Sequence, residues 1–358
     1  MDGNLYDIWL GTLKSITPQK KINLLEYHNS SEEVYHASKG ALKNVEGINE
    51  KTANIIIMNK DLDEAKRIYD KMEKENIRGM MFFDPEYPSC LKEIYNPPFY
   101  IYIQGELIDE DKDAISIVGA RKGTAYGKWA AHSIASSLAQ CSVTVVSGMA
   151  YGIDSHAHQG ALDSNGRTIA VLGCGVNVCY PKKNQGLMNK IISSGAVISE
   201  YPPDTPPNPA YFPQRNRIIS GLSRALIVVE AGIKSGSLIT AEYALEQGID
   251  IYAVPGNIQS IYSKGTNKLI KEGAMPIVDI DEFLHELNLS KKKNILNHII
   301  LGGDEKKIYE MIEKSQPVPM DTLTYELKKE PSEVHALLTI LEIKGLIKVM
   351  SGKIIIAK

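Results

Sequence analysis

The fold is determined between residues 115 and 147, where the chain reads ISIVGARKGTAYGKWAAHSIASSLAQCSVTVVS. A β-branched run, ISIVG, is followed by a helical pattern and then by a second β-branched run, VTVVS. Near-continuous apolar strands separated by helices are typical of a parallel sheet that is buried on both faces. This stretch therefore predicts a strand–helix–strand unit of a doubly wound α/β domain.

The same alternation continues toward the C-terminus. Further β-branched runs are TIAVLG (168–173), AVIS (196–199), ALIVVE (225–230) and IYAVP (251–255). Together they predict a Rossmann-like, mostly parallel sheet with its core at residues 110–285, within a domain of residues 76–288. Ligands of such sheets bind at the carboxyl ends of the strands.

The N-terminal region, residues 1–75, is predicted to be helical and SAM-like. Its segment LKNVEGINEKTANIII (42–57) has the pattern of a helix-hairpin-helix, whose turn amides and second helix can contact a DNA phosphate. The usual second glycine is replaced by Asn49, so packing or protein contact is the alternative role for this segment.

Residues 289–302, which begin LSKKKN, have the composition of a solvated linker. Residues 303–358 then show three helical patterns followed by the strands LIKVM and KIIIA, which Ser351–Gly352 joins in a tight turn. This order predicts a C-terminal winged-helix domain.

Composition limits the class of protein. Hydrophobic residues make up 43% of the 358 residues, which is ordinary for a globular protein, and the net charge of −3 carries little information about a ligand. A pI near 6.3 argues against an indiscriminate polycation. The four cysteines form no CxxC pair. Because there is also no signal-peptide pattern and no apolar run long enough to span a membrane, we expect a cytoplasmic protein.

Three strand ends carry groups that suit a phosphate. After the first strand, Arg121 occupies the place where a GxGxxG loop would hold a dinucleotide, and its alternative role is a salt bridge at the sheet edge. Ser147 and Gly148 follow the second strand and precede a helix, whose free amides favour an anion. Lys182 follows the third strand, where a solvated lysine is equally compatible with the pattern.

The segment YPPDTPPNPAYFPQRNRIISGLSR (201–224) contains a further candidate site. Pro213 is predicted to open a helix that carries Arg215, Asn216 and Arg217 in its first turn. Cations conflict with the helix dipole there, which is typical of a functional anion site. Phe212 offers a ring on which a base could stack, with core packing as the alternative.

The fifth strand leads into Lys234, Ser235, Gly236 and Ser237, which resemble a shortened phosphate-binding loop without the Walker spacing. Several phosphate sites in a row suit a polymer better than one nucleotide. Asp154, His156 and His158 cannot converge on one ion, because residues two apart on a helix lie about 200° apart. We expect no catalytic residue, metal or cofactor.

The motifs resemble a known family. The strings VGARKGTAYGKWAA, VVSGMAYGIDSHAHQGAL, LGCGVNVCYPKKN, FPQRNRIISGLSRALIVVEA and SGSLITAEYALEQGIDIYAVPG occur in the order that the DNA-processing protein A (DprA/Smf) family shows. The resemblance covers residues 100–285. It implies a bacterial single-stranded DNA-binding protein that dimerises through its Rossmann-like domain, protects incoming strands during natural transformation (competence) and DNA recombination, and helps to load the RecA recombinase.

The resemblance also implies a DNA pocket. The family's pocket positions correspond here to Arg121, Ser147, Gly148, Lys182, Arg215, Asn216, Arg217, and Lys234 through Ser237. These are the positions that the strand ends already indicated.

Two alternatives remain at this stage. One is a nucleotide phosphoribohydrolase, in which Glu242 would follow the Gly-rich loop. The other is a ligand-sensing transcription regulator with residues 332–344 as its recognition helix, although this segment has few basic groups for a major groove. We expect the C-terminal domain to contact protein rather than specific DNA.

Overall fold

The computed structural model describes residues 2–13, 15–290, 302–315, 317–327, 329–343, 346–350 and 353–356. The chain forms two compact units, Met1–Lys291 and Lys292–Lys358. Each unit has apolar core clusters of its own.

The first unit begins with helices that pack around buried Ile8, Trp9 and Leu24. Their bounds are α1 Asp2–Thr12, α2 Pro18–His28, α3 Ser31–His36, α4 Lys39–Lys43, α5 Glu50–Met58 and α6 Asp63–Lys74. The two helices of the predicted helix-hairpin-helix are α4 and α5, and Gly47 in the turn between them has a φ of +77°. Asn49 caps α5, because its side chain accepts a hydrogen bond from the Thr52 amide. Whether this turn contacts DNA stays a prediction.

A mixed sheet forms the centre of the first unit. Its strands are β1 Arg78–Met81, β2 Tyr100–Gly105, β3 Ile115–Val118, β4 Val145–Ser147, β5 Thr168–Val171, β6 Ala196–Ser199, β7 Ala225–Val228, β8 Asp250–Ala253 and β9 Met275–Pro276. Within the described residues the order is β1-β2-β6-β5-β4-β3-β7-β8-β9. Strands β3 to β9 run parallel, whereas β2 is antiparallel to both β1 and β6. The predicted doubly wound sheet is confirmed, and the antiparallel β1–β2 extension is an addition to it.

Helices cover both faces of this sheet. They are α7 Ser89–Lys92, α8 Ala125–Gln140, α9 Ile153–Asp163, α10 Gln185–Ser194, α11 Tyr211–Gly221, α12 Gly236–Glu246, α13 Lys264–Lys271 and α14 Ile280–Glu286. The side chains of β3 alternate between the faces: Ile115 and Ile117 pack in one core cluster, and Val118 packs in another. The strands are therefore apolar on both sides, as a parallel sheet between helices requires.

The predicted boundary near residue 75 does not separate two cores. Leu10 and Ile56 of the N-terminal helices share one apolar cluster with Phe99, Tyr100 and Leu172 of the sheet region. The N-terminal helices and the sheet thus belong to the same compact unit. A division into domains 1–75 and 76–288 stays a prediction.

Lys21 lies buried within the first unit. Its ammonium group donates a hydrogen bond to the Gly11 carbonyl at 2.7 Å and lies 5.7 Å from the centre of the Phe99 ring. Burial lowers the pKa of Lys21 to about 7, while the charge of Glu200 acts in the opposite direction. Near neutral pH the charged lysine therefore costs free energy in the folded protein.

We expect the free energy of unfolding to rise with pH above the folded pKa of Lys21. Between that value and the lysine pKa of about 10.4 in the unfolded chain, the unfolded state binds more protons, so a higher pH favours folding. Urea unfolding of wild type and Lys21→Met across this range is the measurement. The wild type should gain stability relative to the variant as pH increases, and parallel pH profiles would contradict the prediction.

The second unit is a winged helix. Its elements are α15 Gly303–Ser315, β10 Val318–Pro319, α16 Met320–Leu327, α17 Pro331–Ile343, β11 Ile347–Met350 and β12 Lys353–Ile356. Strands β11 and β12 are antiparallel, with Met350 opposite Lys353, which confirms the predicted hairpin. The turn residues Ser351–Gly352 and most of the predicted linker 289–302 lie outside the described residues.

In the part of the chain that the structure describes, no helix is both long enough and apolar enough to cross a membrane.

Candidate nucleic-acid interface

A cavity of about 970 Å³ opens at the carboxyl ends of β3 and β7. From β3 the chain adds β4, β5 and β6 on one side of the sheet and then continues with β7 on the other side of β3. The loops after β3 and β7 therefore diverge, which creates the crevice where doubly wound folds bind ligands. Residues Gly119 to Lys122 and Gly232 to Ser237 line the two sides of this cavity.

Exposed cations surround the cavity. Arg121 and Lys122 come from the loop after β3, Lys234 from the loop after β7, and Lys264 from the first residue of α13. Asp154 is the one acidic residue among the lining residues, and it is buried. Burial raises the pKa of its carboxyl group, although Arg215 acts in the opposite direction. The cavity therefore presents positive charge to solvent, as an anion site requires.

Aromatic rings form one wall of the cavity. The ring centres of Tyr180 and Phe212 lie 5.4 Å apart with their planes inclined by 33°. The Arg121 guanidinium lies 5.2 Å from the centre of the Phe212 ring, within the range of a cation–π contact. Phe212 therefore faces the cavity, and its stacking against a base stays a prediction.

The loop Lys234–Ser237 leads into the N-terminus of α12. Ser235 caps this helix by accepting a hydrogen bond from the Ser237 amide, and the two hydroxyl groups lie 2.8 Å apart. A Cβ atom on Gly236 would have open space around it, so the backbone there is accessible to a ligand. Asn216 donates a hydrogen bond to the Gly236 carbonyl at 3.2 Å. Asn216 therefore fixes the loop while lining the cavity.

Arg215 lines the cavity from a buried position. Its guanidinium donates hydrogen bonds to the carbonyls of Gly148 and Val171, at the ends of β4 and β5. The Arg215 Nε atom has no partner within the described residues. Burial lowers the pKa of this guanidinium to about 10, which still leaves it charged at neutral pH. Arg215 therefore holds two strand ends together and adds positive charge beneath the cavity.

Ser147 and Gly148 are not among the cavity-lining residues. The Ser147 hydroxyl is fully buried and donates a hydrogen bond to the Ile117 carbonyl. The expected anion site at this strand end is occupied internally, because the Asp154 carboxylate accepts a hydrogen bond from the Ala150 amide at 3.3 Å. A Cβ atom on Gly148 would lie 2.7 Å from both Asp154 and Arg215. Ser147 and Gly148 therefore pack beneath the cavity and do not line it. The expectation that they contact a DNA phosphate directly is corrected.

Arg217 does not reach the cavity. It is 4% exposed, and its guanidinium forms two hydrogen bonds with the Glu200 carboxylate, at 2.7 and 3.0 Å, and one with the Asn96 carbonyl. Helix α11 begins at Tyr211, two residues before the predicted start at Pro213. Residues 215 and 217 leave the helix about 200° apart, so they cannot face one ligand. The expectation that Arg217 contacts DNA is wrong in this structure.

Of the predicted site residues, the cavity brings together Arg121, Phe212, Arg215, Asn216, Lys234, Ser235, Gly236 and Ser237. Lys182 is exposed near the cavity-lining Tyr180 but does not line the cavity, so its role stays a prediction. The sequence analysis missed Lys122, Tyr180 and Lys264. Tyr180 and Lys122 adjoin predicted positions, whereas Lys264 follows the last predicted strand by nine residues and carried no signal of its own.

The position of Glu242 tests the alternative that the protein is a nucleotide phosphoribohydrolase. Glu242 is exposed and lines a different cavity, together with Leu245 and Lys268. It is not among the residues that line the cationic cavity. Lys234 and Ser235 of the Gly-rich loop line both cavities, but Glu242 does not line the cavity that contains Arg121, so the carboxylate and the arginine that this enzyme would combine do not share a site.

Comparisons with known proteins agree with the architecture. The family model for DNA recombination-mediator protein A matches residues 78–288, and a model for the DprA winged-helix domain matches residues 299–353. The chain is 36% identical to Protein Smf of Synechocystis over 285 residues, which cover 78% of this chain and 72% of the relative. It is 39% identical to the DNA processing protein DprA of Bacillus subtilis over 222 residues, which cover 62% and 75%.

Two solved structures resemble the chain. The X-ray structure of DNA processing protein A from Streptococcus pneumoniae matches with a TM-score of 0.70 and 33% identity, covering 79% of this chain and 97% of that one. The protein of the same name from Helicobacter pylori, described for its single-stranded DNA binding mode, matches with a TM-score of 0.55 and 29% identity, covering 59% and 95%.

Proposed function

Because the chain belongs to the DNA recombination-mediator protein A (DprA) family, we propose that it binds single-stranded DNA in the cationic cavity without catalysing a reaction. The observation that carries this proposal is the combination of four exposed cations, an open glycine-containing helix start and an aromatic wall in one crevice. The Helicobacter pylori relative, whose structure was described for single-stranded DNA binding, supports the same ligand.

The proposed contacts divide between phosphates and bases. Arg121, Lys234 and Lys264 hold successive phosphates, and the Gly236 amide at the start of α12 adds a backbone donor. Phe212 and Tyr180 accept unpaired bases on their ring faces. Duplex DNA fits this arrangement poorly, because paired bases cannot enter a crevice at strand ends. Binding is therefore tolerant of sequence and selective for single strands.

The role in the cell follows from the same contacts. A strand held in the cavity is shielded from nucleases, which supports protection of exposed or incoming single strands during natural transformation. We further propose that a homodimer holds two such sites and presents the strand to the RecA recombinase. The resemblance of the whole motif series to the DprA/Smf family supports the proposed strand protection, the homodimer and the presentation of the strand to RecA.

Arg121→Ala should weaken binding of single-stranded DNA to a similar degree for all sequences. Loss of one phosphate contact should lower the slope of log affinity against log salt by about 0.7 to 1. The measurement is a titration of fluorescent oligonucleotides, single-stranded and duplex, over a salt series. Arg67→Ala, which removes an exposed arginine of α6, is the matched control. An unchanged slope for Arg121→Ala, or equal affinity of the wild type for duplex and single strands, would contradict the proposal.

A further inference from the structure

Exposed aromatic side chains adjoin the cationic cavity. Tyr126 and Trp129 of α8 are 51% and 60% exposed, and Tyr151, just before α9, is 46% exposed. We call Tyr126, Trp129 and Tyr151 the aromatic strip. Large apolar groups gathered on a surface indicate a binding site more often than isolated ones do. The strip is not part of the cavity lining, so the contacts described above do not account for it.

The strip continues directly from the cavity rim. Lys122 and Ala150 line the cavity, Tyr151 is the next residue after Ala150, and Tyr126 follows Lys122 by four residues. The two chain segments are held together, because the Ile153 amide donates a hydrogen bond to the Ala120 carbonyl at 3.3 Å. A chain-like ligand that leaves the cavity past Arg121 and Lys122 therefore meets these rings next.

The rings of α8 are arranged for planar ligands. Tyr126 and Trp129 are three residues apart and so lie on one helix face. Their ring centres are 6.0 Å apart, and their planes are inclined by 32°. Two exposed faces with similar orientation suit flat, unpaired bases, each of which has a π-face regardless of sequence.

The surrounding charge favours a polyanion. Exposed Arg121 and Lys122 lie between the cavity and the strip, and Lys128 lies within the same helix as the rings. The first turn of α8 contains no acidic residue. However, the Glu230 carboxylate accepts hydrogen bonds from the Thr124 amide and hydroxyl at the positive end of this helix, so the favourable charge comes from Arg121 and Lys122 and not from the helix dipole.

We propose that the aromatic strip is a base-stacking platform for the single strand as it leaves the cavity. This inference rests on the proposed function and extends it by giving the strand a direction across α8. The strip accepts bases by stacking, while Arg121 and Lys122 hold the intervening phosphates. The strand bound by one protomer is then longer than the cavity alone accommodates.

Intrinsic fluorescence tests this directly. The chain has two tryptophans, of which Trp9 is 1% exposed and Trp129 is 60% exposed. Quenching of the emission by added oligothymidylate therefore reports on Trp129. We expect quenching with oligonucleotides of about 20 nucleotides and much less with those of about 5, which fill the cavity alone. Trp129→Phe should abolish the quenching but keep the affinity within about twofold, because phenylalanine still stacks.

Affinity measurements complete the experiment. The double variant Tyr126→Ala/Trp129→Ala should bind the longer oligonucleotide about 30-fold more weakly or worse, and the shorter one nearly as well as the wild type does. Tyr325→Ala, which removes an 84% exposed ring of the C-terminal unit, is the matched control and should change neither value. Thermal unfolding of the full-length variants checks that the fold is retained.

Other outcomes would overturn the inference. If Trp129 is not quenched and the double variant binds both lengths like the wild type, the strand does not cross the strip. The proposed function would survive that result, provided that Arg121→Ala still weakens binding. If the double variant keeps its affinity for DNA but loses self-association or association with a recombinase, the strip is a protein-docking surface instead. Absence of single-strand binding by the wild type would end both proposals.

Discussion

Arg217→Ala should lower the free energy of unfolding by about 3–5 kcal/mol, which is the usual cost of removing one partner of a buried ion pair. The Arg217 and Glu200 side chains are 5% and 16% exposed, and their charged atoms approach to 2.7 Å. Without the guanidinium, Glu200 keeps a mostly buried charge with no equivalent partner, and the Asn96 carbonyl loses its donor. Urea-induced unfolding followed by circular dichroism measures the effect.

The variant also separates a structural role from a DNA-binding role. Arg67→Ala, with an exposed arginine, should change stability by less than about 0.5 kcal/mol and is the control. The double variant Arg217→Ala/Glu200→Gln should recover part of the loss, because it removes the unpaired charge. If Arg217→Ala unfolds like the wild type but lowers the salt slope of DNA binding by about 1, Arg217 contacts phosphate and the corrected assignment is itself wrong.

The triple variant Arg121→Ala/Lys234→Ala/Lys264→Ala should lose roughly 100-fold or more of its single-strand affinity. These three cations come from the loops after β3 and β7 and from α13, and all are exposed at one cavity. If each releases counterions from one phosphate, the salt slope should fall by about 2. The fold should be retained, since no buried charge is removed. Anisotropy titrations at several salt concentrations measure both quantities.

The control for the triple variant carries the same change in charge. Lys66, Arg67 and Lys74 are exposed on α6, and replacing all three by alanine removes three positive charges away from the cavity lining. This variant should keep nearly the wild-type slope. Equal losses in the two triple variants would mean that overall charge, and not the cavity, drives binding. That result would contradict the proposed site.

The position of Lys264 makes the triple variant a test of tertiary structure as well. The sequence pattern indicated Arg121 and Lys234, because each follows a β-branched strand. Lys264 lies nine residues beyond the last predicted strand and joins the cavity through long-range contacts, among them the hydrogen bond from the Gly265 amide to the Ala231 carbonyl. If Lys264 contributes measurably to the affinity for single-stranded DNA, the binding site is the cavity of the folded protein and not only the residues that the sequence motifs indicate.

The sequence by itself determined the parallel sheet, because near-continuous apolar runs that alternate with helical patterns are typical of strands covered by helices on both faces. It also placed Arg121 and the Lys234–Ser237 loop at the same sheet edge, since all parallel strands end on one side. It did not reveal β1 and β2, because β2 pairs antiparallel with β1 and with the distant strand β6.

Only the tertiary structure decided which cations face the cavity. Arg215 and Arg217 look equivalent in the string FPQRNR, yet one lies under the cavity and the other pairs with Glu200. The helix turns by about 100° per residue, so neighbours in sequence face different surroundings. Whether a buried guanidinium meets a carboxylate, a strand end or solvent depends on residues far away in the chain, and that information appears only when the chain is folded.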